Sequence, residues 1–439
     1  MHLKLLNHND NIPRYTSYPT APHFKESPES LPPIPTHFKD PIAIYCHIPY
    51  CHQLCWFCGC HTKITQKQNV IDRYMERLVT DIKKTLALMT SKPTVSHIHL
   101  GGGTPNVMSH DNLDKLMSTL RDGAHIQSDA EISVEFDPRF LSDDTIQHFA
   151  SHGFNRASFG VQDFNEDVQR AVNRIQPYAL VAQKIDCCRS SGIDHINIDL
   201  IYGLPRQTEQ HMLHTLNKTN IIQPSRIALF GYAHVPWMKK HMKLIPIDTL
   251  PNPEQRLDLF AQANDHLLQS GYHTIGLDHF ALANDPLHQA HQKQHLYRNF
   301  MGYTDQPTHT IMAFGASAIS QYHWGYAQSH TDIKQYIEAI DQHQSPWYRG
   351  YRYQHEDMER KTIIEHIMCY LSINLDRLPD FINRDHILNQ AQPLIQDGLL
   401  TYSNNILSVH PDAKQASRIL ASYFDTFFSP TPNRHAQTV

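Results

Sequence analysis

With 439 residues the chain is long enough for a large buried core, as two or three domains or as one barrel-sized domain with additions. Its 38 Lys and Arg against 43 Asp and Glu, a formal net charge of -5, exclude a global positive field that would recruit nucleic acid. No apolar run reaches the ~18 residues that cross a bilayer, and the opening MHLKLLNHNDNIPRYTSYPT holds no apolar signal core. The expected address is the cytoplasm, with no membrane partner.

Residues 1–40, rich in proline, read as an extended arm. From residue 41 onward short β-branched runs alternate with helical segments. The runs are PIAIYCHI (41–48), VSHIHL (95–100), EISVEF (131–136), RASFGVQ (156–162), HINIDLIYG (195–203) and RIALFGYAHV (226–235). Ile71, Tyr74, Leu78, Ile82 and Leu86 fall at three- and four-residue spacing and mark one apolar helix face over 70–88. Weaker patterns at 111–120, 143–152, 178–190 and 207–218 complete the alternation. Six such strand–helix repeats predict an α/β fold with a parallel sheet, open or a partial barrel, whose ligand site lies at the carboxyl ends of the strands. The segment PEQRLDLFAQANDHLLQSG predicts a helix ending at Gly271, followed by a strand and loop in YHTIGLDHFA. The regular unit is taken to run over 41–325. Residues 326–439 read as mostly helical, with a hairpin in GLLTYSNNILSVH turning at Asn404-Asn405 and so a possible winged-helix-like module in a structural role.

The chemistry concentrates in CHIPYCHQLCWFCGC (46–60), which holds five of the eight cysteines. In a reducing compartment such thiols indicate metal or redox chemistry before disulfides. Cys51, Cys55 and Cys58 form CxxxCxxC just after the first strand. Three thiolates can hold three irons of a cubane cluster and leave the fourth open to a small molecule. A competing zinc site of Cys55, Cys58, Cys60 and His61 lacks the second CxxC that structural zinc normally uses. The 33 histidines, spread from His2 to His435, read as surface and packing residues.

This CxxxCxxC, with an aromatic before its third cysteine, is similar to the signature of the radical S-adenosylmethionine superfamily. HLGGGTP (99–105) resembles the superfamily's element that meets the methionine amino group, its glycines allowing close backbone approach. PRYTSYPTA, CGC, GGGTP, SFGVQDF, NIDLIYGLP, YAHVP, GLDHFA and RNFMGYT, in that order over residues 13 to about 325, resemble the oxygen-independent coproporphyrinogen III oxidase family. The resemblance implies a six-stranded partial (β/α) barrel with an N-terminal arm and a mostly helical C-terminal domain. It implies conversion of two propionates of coproporphyrinogen III to vinyls, giving protoporphyrinogen IX for haem, with an unidentified electron donor and terminal acceptor. We expect a monomer.

The resemblance assigns Cys51, Cys55 and Cys58 to a [4Fe-4S] cluster. It assigns Tyr45, Gly102, Glu135 and Ile319 to the cluster-bound S-adenosylmethionine. A second S-adenosylmethionine is matched by Phe57, Gly103, Thr104, Gln162, Arg174, Asp199 and Ala233. Read from chemistry alone, Glu135 ends a strand where its carboxylate can accept from hydroxyl or ammonium donors, with an ordinary surface charge the lesser reading, Ile319 is a core residue, and Asp199 a carboxylate that is costly to bury without partners. Cys60 is expected to support the cluster without binding it, and Cys46 to be a bystander. Arg14, Tyr15 and Tyr18 of the arm are expected to clamp carboxylates or shield the site from water. Met301 and Asn106 depart from the family pattern, which has glutamine and threonine there, and put local substrate contacts in doubt. A related haem-binding chaperone branch shares the cluster motif but lacks CGC and the RYTSYPTA arm.

Overall fold

The computed structural model describes residues 2–8, 11–31, 33–307 and 309–429. All six expected strands form: β1 (Ile42–Ile48), β2 (Thr94–Gly102), β3 (His125–Phe136), β4 (Arg156–Gln162), β5 (His195–Tyr202) and β6 (Arg226–Gly231). They lie side by side in chain order, each parallel to the next. Burial on both faces explains why β1 reads as a nearly continuous apolar run: Ile42, Ala43, Ile44, Cys46 and Ile48 are all fully buried.

The connecting helices are α1 (Gln68–Ala87), α2 (His110–Gly123), α3 (Asp143–Ser151), α4 (Tyr178–Ser190) and α5 (Glu209–Ile222). The predicted stripe of α1 is buried throughout, from Ile71 to Leu86. Ser109, Ser142 and Thr208 cap α2, α3 and α5, each accepting from the backbone N–H three residues on. After β6 comes α6 (Pro253–Gln269), which opens with a capping box between Asn252 and Gln255.

The sheet extends beyond the six expected strands. YHTIGLDHFA forms two antiparallel strands, β7 (Tyr272–Ile275) and β8 (His279–Leu282), rather than one strand and a loop. Gly276 between them sits at φ +56, against the Tyr303 ring. At the opposite edge β9 (Ile311–Phe314) pairs in parallel with β1, so seven strands rather than six run parallel. β10 (Ile319–Tyr322), β11 (Gly325–Ser329) and β12 (Trp347–Arg352) then continue antiparallel. The order is β12-β11-β10-β9-β1-β2-β3-β4-β5-β6-β8-β7. Four-residue β9 escapes a periodicity reading because a run that short is ambiguous.

The sheet therefore runs through Arg352, past the expected division at 325. After α7 (Ile333–Asp341), which packs on α1, the remaining helices are α8 (Asp357–Tyr370), α9 (Arg384–Gln396) and α10 (Ala416–Ser422). They accompany a three-stranded sheet of Ser372–Asn374, Ile406–Val409 and Leu400–Ser403. Asn404 and Asn405 stand at φ 50 and 58, the left-handed pair that a two-residue hairpin loop needs. Residues 430–439 of the expected C-terminal region lie outside the described residues.

The N-terminal segment packs on this helical part. Leu5, Ile12, Tyr15 and Tyr18 join one apolar cluster with Ile364, Leu394 and Leu420. Tyr15 Oη donates to Asp425 Oδ2 at 3.1 Å, and Tyr18 Oη lies 2.9 Å from Thr426 Oγ1. These two tyrosines thus fasten the segment and do not face the site, contrary to the expectation. Among the described residues, no helix is long and apolar enough to cross a membrane.

Candidate active site

The chain leaves β1 through Pro49 into the cysteine loop, which is closed by a short parallel pairing of Tyr50–Cys51 with Lys63–Ile64. Backbone and side-chain ties fix the loop from three directions. Trp56 N–H donates to Val172 O (3.0 Å), Asn173 Nδ2 to Leu54 O (2.8 Å), and Lys239 Nζ to Cys60 O (2.8 Å). His241 Nε2 lies 2.8 Å from Cys58 O, while Trp56 and Phe57 pack on the cluster of Val168, Ile201 and Met242. Cys51, Cys55, Cys58 and Cys60 thereby line one cavity of about 280 Å³, together with the carboxyl ends of β2 to β5.

The thiols differ in their surroundings. Arg139 Nη2 and Arg174 Nη1 both point at Cys55 Sγ from 3.4 Å, and Thr104 Oγ1 donates to Cys51 Sγ at 3.2 Å. Cationic and hydroxyl donors of this kind favour thiolate. A hydrogen bond from Cys60 is the largest influence lowering Cys58, whose thiol falls to about 6, and the same bond raises Cys60. Cys60 is thus a donor to Cys58. Burial pushes Cys51 up to about 12 despite Thr104, with Cys58 and Cys55 crowding it. Thiols lining one cavity, with guanidinium donors at Cys55 and a hydroxyl donor at Cys51, fit a group that brings its own positive charge, as iron does. Of the zinc alternative's residues, Cys55, Cys58 and Cys60 line this cavity, whereas His61 is not among its lining residues. Cys46 is fully buried in the core of β1, a bystander as expected.

Around the thiols stand the other expected residues. Glu135 Oε2 accepts from Gly102 N–H (3.1 Å), and Oε1 lies 3.2 Å from His99 Nε2. Burial opposes its ionisation, but these partners hold its carboxyl below the ordinary range. The Tyr45 ring stacks on His99 at 5.8 Å, and its hydroxyl meets His47 Nδ1 at 3.0 Å. The glycines answer a tighter demand than ligand access. Gly102 sits at φ +111 with its missing Cβ 2.5 Å from the His47 ring, and a Cβ on Gly103 would lie 2.6 Å from Tyr50 O. Phe57, Gly103, Thr104, Gln162, Arg174 and Asp199 line the cysteine cavity with Gly102 and Glu135. Ala233 lines a neighbouring cavity, while Tyr45 and Ile319 lie outside the cysteine cavity, Ile319 packing beside Phe24 and Tyr326.

Asp137 and Arg139, which carry no local sequence signal, turn out to be central. Arg139 donates to Asp137 through Nε (3.0 Å) and Nη2 (2.7 Å), and Arg174 Nη1 reaches the same carboxylate at 3.2 Å. Arg174 is therefore a wall element holding Asp137 and Gly160 O, besides lining the cavity. Asn106 latches this wall: its Nδ2 donates to Phe140 O (3.0 Å), and its Oδ1 accepts from Asp137 N–H (3.0 Å). These bonds set the loop. Met301 lines a third cavity of about 230 Å³, walled by alternate residues His97 and His99, Glu131 and Glu135, Arg156 and Ser158, Asn197 and Asp199. The period-two alternation turns these polar side chains to one shared face of the sheet.

The family model described as the radical SAM superfamily matches residues 45–219. An oxygen-independent coproporphyrinogen III oxidase of Synechocystis sp. is 38% identical over 97% of this chain and 94% of its own length. The enzyme so named from Escherichia coli (strain K12) is 37% identical over 96% of this chain and 94% of its own. The solved coproporphyrinogen III oxidase from Escherichia coli, described as a radical SAM enzyme, superposes with a TM-score of 0.89 at 34% identity, covering 97% of this chain and 99% of that one. The chain belongs to the oxygen-independent coproporphyrinogen III oxidase family of the radical S-adenosylmethionine superfamily.

Proposed function

We propose that this chain oxidatively decarboxylates coproporphyrinogen III to protoporphyrinogen IX without oxygen, as a step of haem biosynthesis. The observation that carries the reading is the gathering of Cys51, Cys55 and Cys58 at the carboxyl ends of the parallel strands, in a chain collinear with named oxidases. When bound, a reduced [4Fe-4S] cluster with S-adenosylmethionine supplies one-electron chemistry that yields a hydrogen-abstracting radical. Each propionate loses one hydrogen atom, one electron and carbon dioxide as it becomes a vinyl. A terminal electron acceptor is therefore needed besides the reductant. The chain's own groups position and shield: Arg139 and Arg174 donate toward Cys55, while Glu135, held by Gly102 and His99, offers a carboxylate beside the thiols. The reducing cytoplasm suits thiols left free for a cluster.

Tyr45, Gly102, Glu135 and Ile319 are assigned to one S-adenosylmethionine. A second is assigned to Phe57, Gly103, Thr104, Gln162, Arg174, Asp199 and Ala233, supported by six of these sharing the thiols' cavity. Residues 1–40, 41–352 and 357–429 are the natural divisions, with the last a winged-helix-like support. Burial, with the nearby Glu135 carboxylate, pushes the Asp199 carboxyl up to about 6, although Asn197 Nδ2 (2.8 Å) and Ser158 Oγ (3.1 Å) donate to it. Because its folded value is raised, this carboxyl favours folding most below pH ~4 and loses that contribution as pH rises through 6. Ionised Asp199 is the better acceptor for ribose hydroxyls. Binding of the second equivalent of S-adenosylmethionine is thus expected to weaken about fivefold between pH 6 and 5, and Asp199→Asn to flatten the profile. An unchanged pH profile in that variant would sink the assignment.

The function is tested by anaerobic incubation of the reconstituted enzyme with S-adenosylmethionine, a reductant, an electron acceptor and coproporphyrinogen III. Protoporphyrinogen IX with release of two carbon dioxide molecules is the expected product. Tight haem binding without vinyl product would instead establish the chaperone reading.

A further inference from the structure

We propose that a basic cavity beside the cysteine cavity holds the carboxylates of the propionates that survive the reaction; the proposal rests on the tetrapyrrole reading above. The cavity, about 390 Å³, lies between β6, the N-terminal segment and α10. Arg14, Arg256, Arg298 and Arg418 line it, and Asp278 is the one acidic residue among the described residues of its lining. Phe230 lines this cavity, the cysteine cavity and the polar interior cavity alike, so the three adjoin at its ring.

The arginines are held mostly by groups that leave their charge in place. Arg14 Nη2 donates to Gly231 O at 2.8 Å, tying the N-terminal segment to the end of β6. Arg256 packs over the Tyr202 ring at 5.7 Å, with no carboxylate within 4 Å among the described residues. Arg298 lies over the Tyr303 ring at 4.5 Å and 3.8 Å from Asp278 Oδ1, and its buried Nε has no hydrogen-bond partner. It is only 9% exposed, and Arg418, 6% exposed, donates to the backbone carbonyls of Ile12 and Pro13 in the N-terminal segment. Burial and the charge of Arg14 both depress Arg256, as expected where guanidinium groups crowd away from water. Gathering desolvated cations is costly unless an anionic ligand completes the site, and the planar guanidinium fork pairs best with a carboxylate.

The chemistry of the reaction decides which carboxylates belong here. A guanidinium stabilises a carboxylate far better than neutral carbon dioxide, so pairing a reacting propionate would raise its barrier. Pairing a propionate that stays intact anchors the macrocycle and turns the others toward the thiols. The site therefore takes a polycarboxylate with an apolar body, which Phe230 and Leu277 can meet.

The test uses the full-length reconstituted enzyme with Arg256→Gln, Arg256→Lys and Arg14→Gln, each checked for wild-type iron content. Loss of one charged hydrogen-bond pair predicts a KM for coproporphyrinogen III raised about 10- to 100-fold, with the lysine variant recovering part of it. The affinity for S-adenosylmethionine should stay unchanged, which separates the tetrapyrrole carboxylates from the methionine carboxylate as occupants. In a binding assay without turnover, the fluorescent oxidised coproporphyrin III should bind the wild type more tightly than its tetramethyl ester, and Arg256→Gln should erase that preference. Unchanged substrate KM with retained acid preference, or a rise in KM for S-adenosylmethionine alone, overturns the proposal. A wild type that makes no vinyl product overturns the functional reading instead, whatever the arginine variants do.

Discussion

A Cys55→Ser enzyme, reconstituted anaerobically with iron and sulfide, is expected to hold little iron and to lose the broad visible absorbance of a cluster. Its turnover of coproporphyrinogen III should fall by at least about a thousandfold, well beyond the roughly 10- to 100-fold cost of losing an outer-shell partner. The reason is in the geometry: Cys55 Sγ is the sulfur on which two guanidinium groups converge at 3.4 Å, and serine offers a harder, shorter donor. Cys60→Ser provides the contrast. Cys60 supports Cys58 by a hydrogen bond and should cost only about tenfold, in cluster retention or in rate. Cys46→Ala, in the strand core, should leave iron content intact. A Cys55→Ser protein with full iron and wild-type turnover would refute the ligand assignment.

Asp137→Ala is expected to destabilise the folded protein by about 3–5 kcal/mol, since it leaves Arg139 and Arg174 buried without their shared carboxylate. The Asp137 side chain is only 7% exposed, so solvent cannot take its place. Denaturant unfolding of the reconstituted enzyme, compared at matched iron content, measures the loss. Burial opposes ionisation of Asp137, but Arg174 and Arg139 outweigh it and hold the carboxyl at about 2. A depressed carboxyl contributes stability that is present above the ordinary value near 4 and is lost as pH falls toward 2. The wild type should therefore lose stability over that window more steeply than Asp137→Asn. Equal acid sensitivity in the two proteins would show that the triad adds nothing.

The parts of this protein legible from sequence are those whose cause is local. The spacing of Cys51, Cys55 and Cys58, the glycines of HLGGGTP and the apolar stripe of α1 each depend on neighbours a few residues away. So do the hairpin asparagines at 404 and 405. The six parallel strands follow from the same short-range alternation. Parts that depend on distant segments left no such mark. Strand β9 is recognised only by pairing with β1 across more than two hundred residues. Tyr15 and Tyr18, apt for a clamp when read alone, are claimed by Asp425 and Thr426 from the far end of the chain.

The same division holds within the site. The sequence by itself determined the thiol triad, its place after the first strand and, through collinear motifs, the family and its chemistry. Only the tertiary structure decided that Arg139 and Arg174 share Asp137 beneath Cys55, that Asn106 latches their loop, and that Arg14, Arg256, Arg298 and Arg418 meet at one cavity. The physical reason is that ligand spacing along a loop is set by covalent geometry. The convergence of charges from separate strands and helices is set by packing, which no single stretch of sequence contains.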